Sequence, residues 1–586
     1  NYQVPYKINE QFKKKAAYFS MEFAIHQPLK IYSGGLGFLA GSHLRSAYEL
    51  NQNMIGVGIL WKYGYYDQAR NQDQTLQVTF MEKIYSFLED TGIKYQIMIH
   101  DHPVWVKAFY LAPNTFCSAP LFLLSTDLPE NDYVSQTITH RLYDANVATK
   151  VAQFILLGVG GAKLIDELNF EPEVYHLNEA HGFSSAFYLL NKYKSLDEVK
   201  KRLVFTTHTP EEAGNEKHDI YLCHKMGYFC GLTIDEVRKL TGIHDDQFNH
   251  SLAALRFARK ANGVSELHGH VSRELWGKYE GICPIDHITN AQNWRYWADK
   301  QLYKFSEAND DAGFDDRKMY LKKRAFEIVA DQTGKVFDPN VLTIVWARRF
   351  AGYKRADFLS WDLERFEKLL ANLKHPVQII FAGKPYPVDY PAISQFNNLV
   401  HLSKNYKNVA VLIGYELGLS KRLKQASDVW LNNPRVPREA SGTSGMTAAM
   451  NGAVNFSTDD GWIKFPPLPP PKTASAAKPD ELAPVQATTP PPQTATPAPA
   501  PAQPAVAVRP AQSATPNAST KKNIPISEES LSDDATIGGS SIPELEKANK
   551  RLYMLGFVLL ALLIIGTVAV VTVRSNLSDE SNETGE

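Results

Sequence analysis

Pro437-Arg438-Glu439-Ala440-Ser441-Gly442-Thr443-Ser444-Gly445-Met446-Thr447-Ala448-Ala449-Met450-Asn451-Gly452 is the stretch on which the fold turns. A run with strand character, Asp428-Val429-Trp430-Leu431, leads into it. Small and hydroxyl residues then make a turn, and Met446 onward reads as a helix. Strand, glycine-rich turn and helix in that order aim backbone N–H groups at an anion in α/β proteins. Glu439 stands at the mouth of the turn, where a carboxylate can grip sugar hydroxyls. Taken alone, the stretch reads equally well as an ordinary strand-to-helix loop.

Upstream lie three more strand runs: Thr343-Ile344-Val345-Trp346-Ala347, Val377 to Ala382 and Val409 to Ile413. Helical segments separate them, the βαβα alternation of a doubly wound sheet. Arg348-Arg349-Phe350-Ala351-Gly352-Tyr353-Lys354-Arg355 follows the first run, with four cations in eight residues. That is either a solvated basic loop or an anion site, at the strand end where this architecture places one. Gly383-Lys384-Pro385 ends the next strand. Residues 297–340 are charge-rich and helical, and bridge two halves of the chain.

The first half opens with the apolar run Ala16 to Phe23 and then Ile31-Tyr32-Ser33-Gly34-Gly35-Leu36-Gly37-Phe38-Leu39-Ala40-Gly41, followed by a helix. Closely spaced glycines let the backbone approach a ligand, and a helix N-terminus beside them favours phosphate. Tyr95 to Ile99 and Leu121 to Leu124 read as strands, and Val147 to Leu168 as a buried helix packed closely through Gly158, Gly160 and Gly161. His100-Asp101-His102 has the residue types of a metal site but, placed on one strand, names no third ligand; a solvated loop is the expectation. Val174-Tyr175-His176-Leu177-Asn178-Glu179-Ala180-His181-Gly182 and Val204-Phe205-Thr206-Thr207-His208-Thr209-Pro210 each run from an apolar strand into polar residues. Strand ends of this kind are where open α/β sheets bind ligands.

Glu439 to Gly452 resembles the pyridoxal-phosphate signature of the α-glucan (glycogen/maltodextrin) phosphorylases, E-A-S-G-T-x-x-M-K-x-x-x-N-G. Glu439, Ala440, Ser441, Gly442, Thr443, Met446, Asn451 and Gly452 match it. The resemblance extends in motif order over roughly residues 15–463. It implies an α/β, GT-B-like fold of two facing Rossmann-like doubly wound domains, over 1–300 and 301–463, with the site in the cleft. It implies retaining phosphorolysis of α-1,4-glucan ends by orthophosphate to α-glucose 1-phosphate, with pyridoxal phosphate as cofactor. In that chemistry the cofactor's phosphate relays a proton to orthophosphate.

Carried over residue by residue, the resemblance assigns Arg349, Lys354, His208 and Glu439 to catalysis. It assigns Gly34, Gly35, Leu36, Asn178, Glu179, His181, Asn290 and Glu439 to substrate, and Gly442, Thr443, Ser444, Thr447, Arg348 and Arg349 to the cofactor. Three departures stand out. The family's cofactor lysine falls on Thr447, which has no amine for a Schiff base. The family's T-N-G is Thr289-Asn290-Ala291 here. Family chains also continue past the equivalent of Gly461-Trp462-Ile463.

Composition bounds the rest. The 586 residues suffice for two or three domains, the hydrophobic fraction of 44% supports a sizeable core, and the net charge of -1 gives no case for nucleic acid. Cys117, Cys223, Cys230 and Cys283 are scattered and form no CxxC pair, so reduced thiols without zinc or disulfides are expected. The chain starts at Asn1 with no basic-then-apolar leader, and a start without Met points to an earlier true N-terminus. A Pro/Ala/Thr-rich disordered linker is expected over 464–545, a transmembrane helix over 552–573 and a polar tail over 574–586. Lys547, Lys550 and Arg551 before the span put the catalytic part in the cytoplasm, anchored to a membrane. A homodimer is left open.

Two alternative functions are weighed. A catalytically impaired, membrane-tethered glucan-binding protein is supported by Thr447 and the early end of the second domain. A GT-B glucosyltransferase using another donor is opposed by Thr447, which stands eight positions past Glu439, where retaining enzymes often carry a second acid.

Overall fold

The computed structural model describes residues 1–464 except 212 and 213. The expected linker, membrane span and tail lie outside the described residues from residue 465 onward.

Apolar runs bounded by turn residues build a nine-stranded sheet in the first half. In chain order come β1 (Ala16–Phe19) and β2 (Met54–Ile59), a separate hairpin of β3 (Asp67–Arg70) and β4 (Leu76–Thr79), then β5 (Glu89–Ile99), β6 (His102–Leu111), β7 (Leu121–Ser125), β8 (Val174–Asn178) and β9 (Leu203–Thr206). A short antiparallel pair, β10 (Lys217–Asp219) and β11 (Gln247–Asn249), precedes β12 (Lys260–Gly263) and β13 (Ile285–His287). The sheet runs β13-β12-β9-β8-β1-β2-β7-β6-β5. All pairings from β13 to β7 are parallel, and β6 and β5 are antiparallel at one edge. Parallel strands are covered on both faces and read as continuous apolar runs; β2 and β7 are buried at every residue.

The second half holds β14 (Leu342–Ala347), β15 (Val377–Ala382), β16 (Val409–Leu412), β17 (Val429–Asn432) and β18 (Val454–Ser457). They form one parallel sheet in the order β16-β15-β14-β17-β18. The helix Asp311–Thr333 starts at the Asp310 side-chain cap and ends at Gly334 in the left-handed region. It buries Ala325, Phe326 and Val329 in the core shared with Val345, Ile380 and Leu412.

In the first sheet the order reverses beside β1, flanked by β2 and β8. In the second it reverses beside β14, flanked by β15 and β17. Crevices at such switch points are the ligand sites of open α/β sheets. The loops after β1, β8, β14 and β17 carry nearly all the residues singled out from the sequence.

Side chains fasten the two sheets to each other. From the β3–β4 hairpin, Gln68 Nε2 donates to Gly383 O at 2.9 Å, Arg70 Nη2 to Val411 O at 2.6 Å, and Leu76 sits in the core with Phe396 and Leu399. Asn451, fully buried, donates to Trp297 O and to Thr447 O and accepts from Asp299 N. The signature's asparagine thus ties its helix to the bridge between the halves.

Several local expectations change. The helix in the Glu439–Gly452 stretch starts at Thr443, three residues before Met446, because Gly442 (φ 81°) turns the chain into it. The helix after the first glycines starts at Gly35 and takes up the rest of the run. Within it Gly41 is needed for close packing, since a Cβ there would lie 2.0 Å from Ala24 O. His100 and Asp101 are not on a strand. Both adopt positive φ (55° and 56°) in the turn joining β5 to β6, and His102 pairs with Asp132 at 3.0 Å. No cluster with metal-ligand composition occurs among the described residues. The four cysteines are free. Val147–Glu167 is the one described helix long and apolar enough to cross a membrane, and it is mostly buried inside the protein. At Gly158 a Cβ would meet Ser184 Oγ at 2.1 Å, the close packing expected of it.

Candidate active site

A cavity of about 500 Å³ opens between the two switch points. Gly34, Gly35, Leu36, Glu179, His181, His208, Asn290, Arg348, Arg349, Lys354, Glu439, Gly442, Thr443, Ser444 and Thr447 all line it. Asn178 stands behind the wall.

The end of β14 supplies the cations. Lys354, in a single 3-10 turn, places Nζ 2.5 Å from Glu439 Oε2, and Arg348 Nη2 lies 3.3 Å from the same oxygen. The Glu439 side chain is 12% exposed. Burial opposes its charge, but Lys354 and Arg348 outweigh burial and hold the carboxyl below its usual range. Behind it, Asp460 Oδ2 accepts from Glu439 N at 3.0 Å. Burial pushes the Asp460 carboxyl up to about 6. Arg348 is 5% exposed, yet its Nε and Nη1 have no partner. Buried polar groups are nearly always paired, so a guanidinium with two free nitrogens in a cavity wall is built for an anion. Arg349 is exposed in the same cleft.

Opposite stands the start of the Gly35–Glu49 helix. Its first N–H groups have no intrahelical acceptor. Gly34 N–H is already taken: Glu22 Oε2 accepts from Ser33 N at 2.6 Å and Gly34 N at 3.1 Å, and Tyr143 donates to Oε1 at 2.7 Å. Gly35 and Leu36 keep free amides among the described residues. A Cβ at Gly34 or Gly35 would meet nothing within 4 Å, so both face open cavity.

The ends of β8 and β9 form a neutral polar wall. His208 Nε2 lies 2.7 Å from Asn178 Oδ1, while Asn178 Nδ2 donates to Ser20 Oγ at 3.1 Å. Burial lowers the His208 pKa to about 3, so the imidazole is neutral. With Asn178 Oδ1 as acceptor, its proton sits on Nε2 and Nδ1 is left as an acceptor. Glu179 takes His208 N at 2.5 Å and Thr209 Oγ1 at 3.2 Å, and burial pushes its carboxyl up to about 7. Its backbone sits at φ 67°, ψ 170°, a region strained by about 1–3 kcal/mol for a non-glycine residue. His181 is lowered to about 4 by burial, and its Nδ1 is buried without a partner. Asn290 is held by its backbone N–H on Val264 O at 3.0 Å. Donors and acceptors of this kind, on fixed strand ends, suit a polyhydroxylated ring.

Thr447 is 1% exposed, and its hydroxyl donates to Thr443 O and Ser444 O of its own helix. The cavity therefore fits the phosphate of pyridoxal phosphate, through the free nitrogens of Arg348 and the unpartnered Ser441 Oγ, but offers no amine at position 447.

Sequence reading gave no site role to Glu22, Tyr65, Tyr143 and Lys424 in this wall, nor to Lys384, which it noted only at the end of its strand. Lys424 had a signal. It stands seven residues after Leu417 and four after Ser420, on the buried face of its helix, where a lysine is out of place.

A family model described as Carbohydrate phosphorylase matches residues 245–463. An uncharacterised protein of Methanocaldococcus jannaschii is 48% identical over 449 residues, covering 77% of this chain and 85% of its own. The maltodextrin phosphorylase of Thermococcus litoralis is 34% identical over 511 residues (77% of this chain, 61% of its own). The glycogen phosphorylase of Mycobacterium tuberculosis is 33% identical over 527 residues (76% and 60%). The chain thus spans about three fifths of the length of these two named phosphorylases. Motifs, model and relatives agree, and the chain belongs to the α-glucan phosphorylase family of carbohydrate phosphorylases.

Proposed function

We propose that the chain is a retaining α-glucan phosphorylase of GT-B type, releasing α-glucose 1-phosphate from the ends of an α-1,4-glucan. The observation that carries this reading is the single cavity in which unpaired Arg348 nitrogens and the Gly35 and Leu36 amides face a wall of sugar-type donors and acceptors. Residues 1–300 and 301–463 act as its two domains. From the sequence alone, we also infer a cytoplasmic catalytic part tethered through 552–573.

Orthophosphate binds between Arg349, Lys354 and the free amides of the Gly35–Glu49 helix. Its O–H protonates the leaving glycosidic oxygen as the bond from the anomeric carbon breaks. A phosphate oxygen then bonds that carbon from the same face, which gives retention. Each preorganised donor aimed at the developing charge contributes about 3 kcal/mol to such a transition state. Glu439, held ionised by Lys354 and Arg348, accepts from sugar hydroxyls, and neutral His208 accepts through Nδ1. Asn178 and Glu179 orient His208, and Asn290 and His181 complete the ring's contacts. Pyridoxal phosphate, when bound, supplies a second phosphate that exchanges a proton with orthophosphate. Arg348, Arg349 and residues 442–444 would hold it.

Thr447, whose hydroxyl is turned onto its own helix, favours one alternative: a glucan-binding protein without turnover. Incubating the full chain with maltodextrin and orthophosphate separates the two. Glucose 1-phosphate release supports the phosphorylase; tight maltodextrin binding with no release supports the alternative.

A further inference from the structure

Lys424 lies on the helix Leu417–Ala426, is 1% exposed, and lines the same cavity as Thr447. Its surroundings are aromatic. Nζ is 3.9 Å from the centre of the Trp297 ring, 5.5 Å from Phe38 and 5.9 Å from Trp430. The other buried lysines all have oxygen partners. Lys318 donates to Ser427 O and Asn451 O, Lys322 to Asp428, Lys354 to Glu439, and Lys384 to Tyr66 O and Glu416. Lys424 Nζ has no hydrogen-bond acceptor and no carboxylate among the described residues.

An ammonium in that place is poorly compensated. A desolvated cation over an aromatic face gains less than burying an ion costs. Burial accordingly pulls the Lys424 pKa down to about 7. A neutral, desolvated amine on a cavity wall is the form of lysine that attacks carbonyls.

We propose that Lys424 is the carbonyl-reactive lysine of this cavity and that it links pyridoxal phosphate, supplying from the neighbouring helix the amine that Thr447 lacks. The Lys424 nitrogen lone pair attacks the aldehyde carbon, the carbonyl oxygen leaves as water, and a carbon–nitrogen double bond remains. Phe38, which lines the cavity with its ring 5.5 Å from Nζ, provides an apolar face suited to an aromatic ring, and Arg348 keeps two nitrogens for its phosphate. The choice of cofactor rests on the phosphorylase reading; the reactivity of the amine does not.

The test traps the link. The full chain is mixed with pyridoxal phosphate, reduced with borohydride, digested and mapped by mass spectrometry. The expected result is one adduct per chain on the Lys424 peptide, lost in Lys424→Met and in Lys424→Arg, which keeps the charge. Circular dichroism checks that both variants fold. Should both unfold, the parent's peptide map decides alone. Absence of label from folded parent, or label spread over surface lysines and unchanged in Lys424→Met, would overturn the proposal. Glucose 1-phosphate release is read in the same samples. Release without a Lys424 adduct leaves the phosphorylase reading standing and sinks this one, and an adduct without release does the reverse.

Discussion

Lys354 Nζ lies 2.5 Å from Glu439 Oε2, so one ion pair joins the loop after β14 to the loop after β17 across the switch point of the second sheet. The pair keeps Glu439 ionised in a largely enclosed place and keeps Lys354 directed into the cavity. Lys354→Met should lower glucose 1-phosphate release about 10²–10³-fold. It should cost about 2 kcal/mol of stability, with Arg348 left to hold the carboxylate. Steady-state kinetics and urea unfolding check the two arms.

Arg348 makes an anion site testable without turnover. In the cofactor-free parent, orthophosphate seated in the place of the cofactor's phosphate should stabilise the fold by about 2.7 kcal/mol at a hundred times its dissociation constant for that place. The free Nε and Nη1 of Arg348 are the groups that gain partners. Differential scanning calorimetry of Arg348→Met against phosphate should show most of that shift gone.

Two glycines six residues apart should behave oppositely. An alanine Cβ at Gly41 meets the Ala24 carbonyl, which is backbone and cannot rotate away, and Gly41→Ala should lose about 3 kcal/mol. Gly35→Ala meets nothing and should stay within roughly 1 kcal/mol of the parent. Chemical denaturation of both variants tests the assignment of Gly41 to packing and of Gly35 to the cavity face.

Glu179 predicts a pH dependence. Burial raises its carboxyl from 4.5 to about 7, so between those values the folded chain holds a proton that the unfolded chain has released. Its contribution to stability is complete below 4.5 and is lost as the pH rises to 7. Over that window the parent should fall relative to Glu179→Gln by roughly 3 kcal/mol. Parallel curves for the two proteins would mean that the proton is held elsewhere.

What was legible in the sequence was local. Strands such as Val377–Ala382 are unbroken apolar runs, and the turn residues after β8, β9, β14 and β17 announce strand ends, so both sheets and most of the site followed. What escaped has no local signature. β18 alternates exposed and half-buried residues at an edge and shows no apolar run. The β3–β4 hairpin reads as a polar excursion, and only its contacts with Gly383 and Val411 reveal a clasp. Glu22 holds the Ser33 and Gly34 amides from eleven and twelve residues away. Lys424 meets Thr447 in the cavity only because their two helices pack together.

Phosphate-dependent release of glucose 1-phosphate from maltodextrin by the full chain, assayed with and without added pyridoxal phosphate, is the most direct measurement. Release that requires both orthophosphate and pyridoxal phosphate, with the product in the α configuration, is the predicted result. Folded protein that binds maltodextrin and phosphate yet releases no glucose 1-phosphate at any cofactor concentration would contradict a phosphorylase.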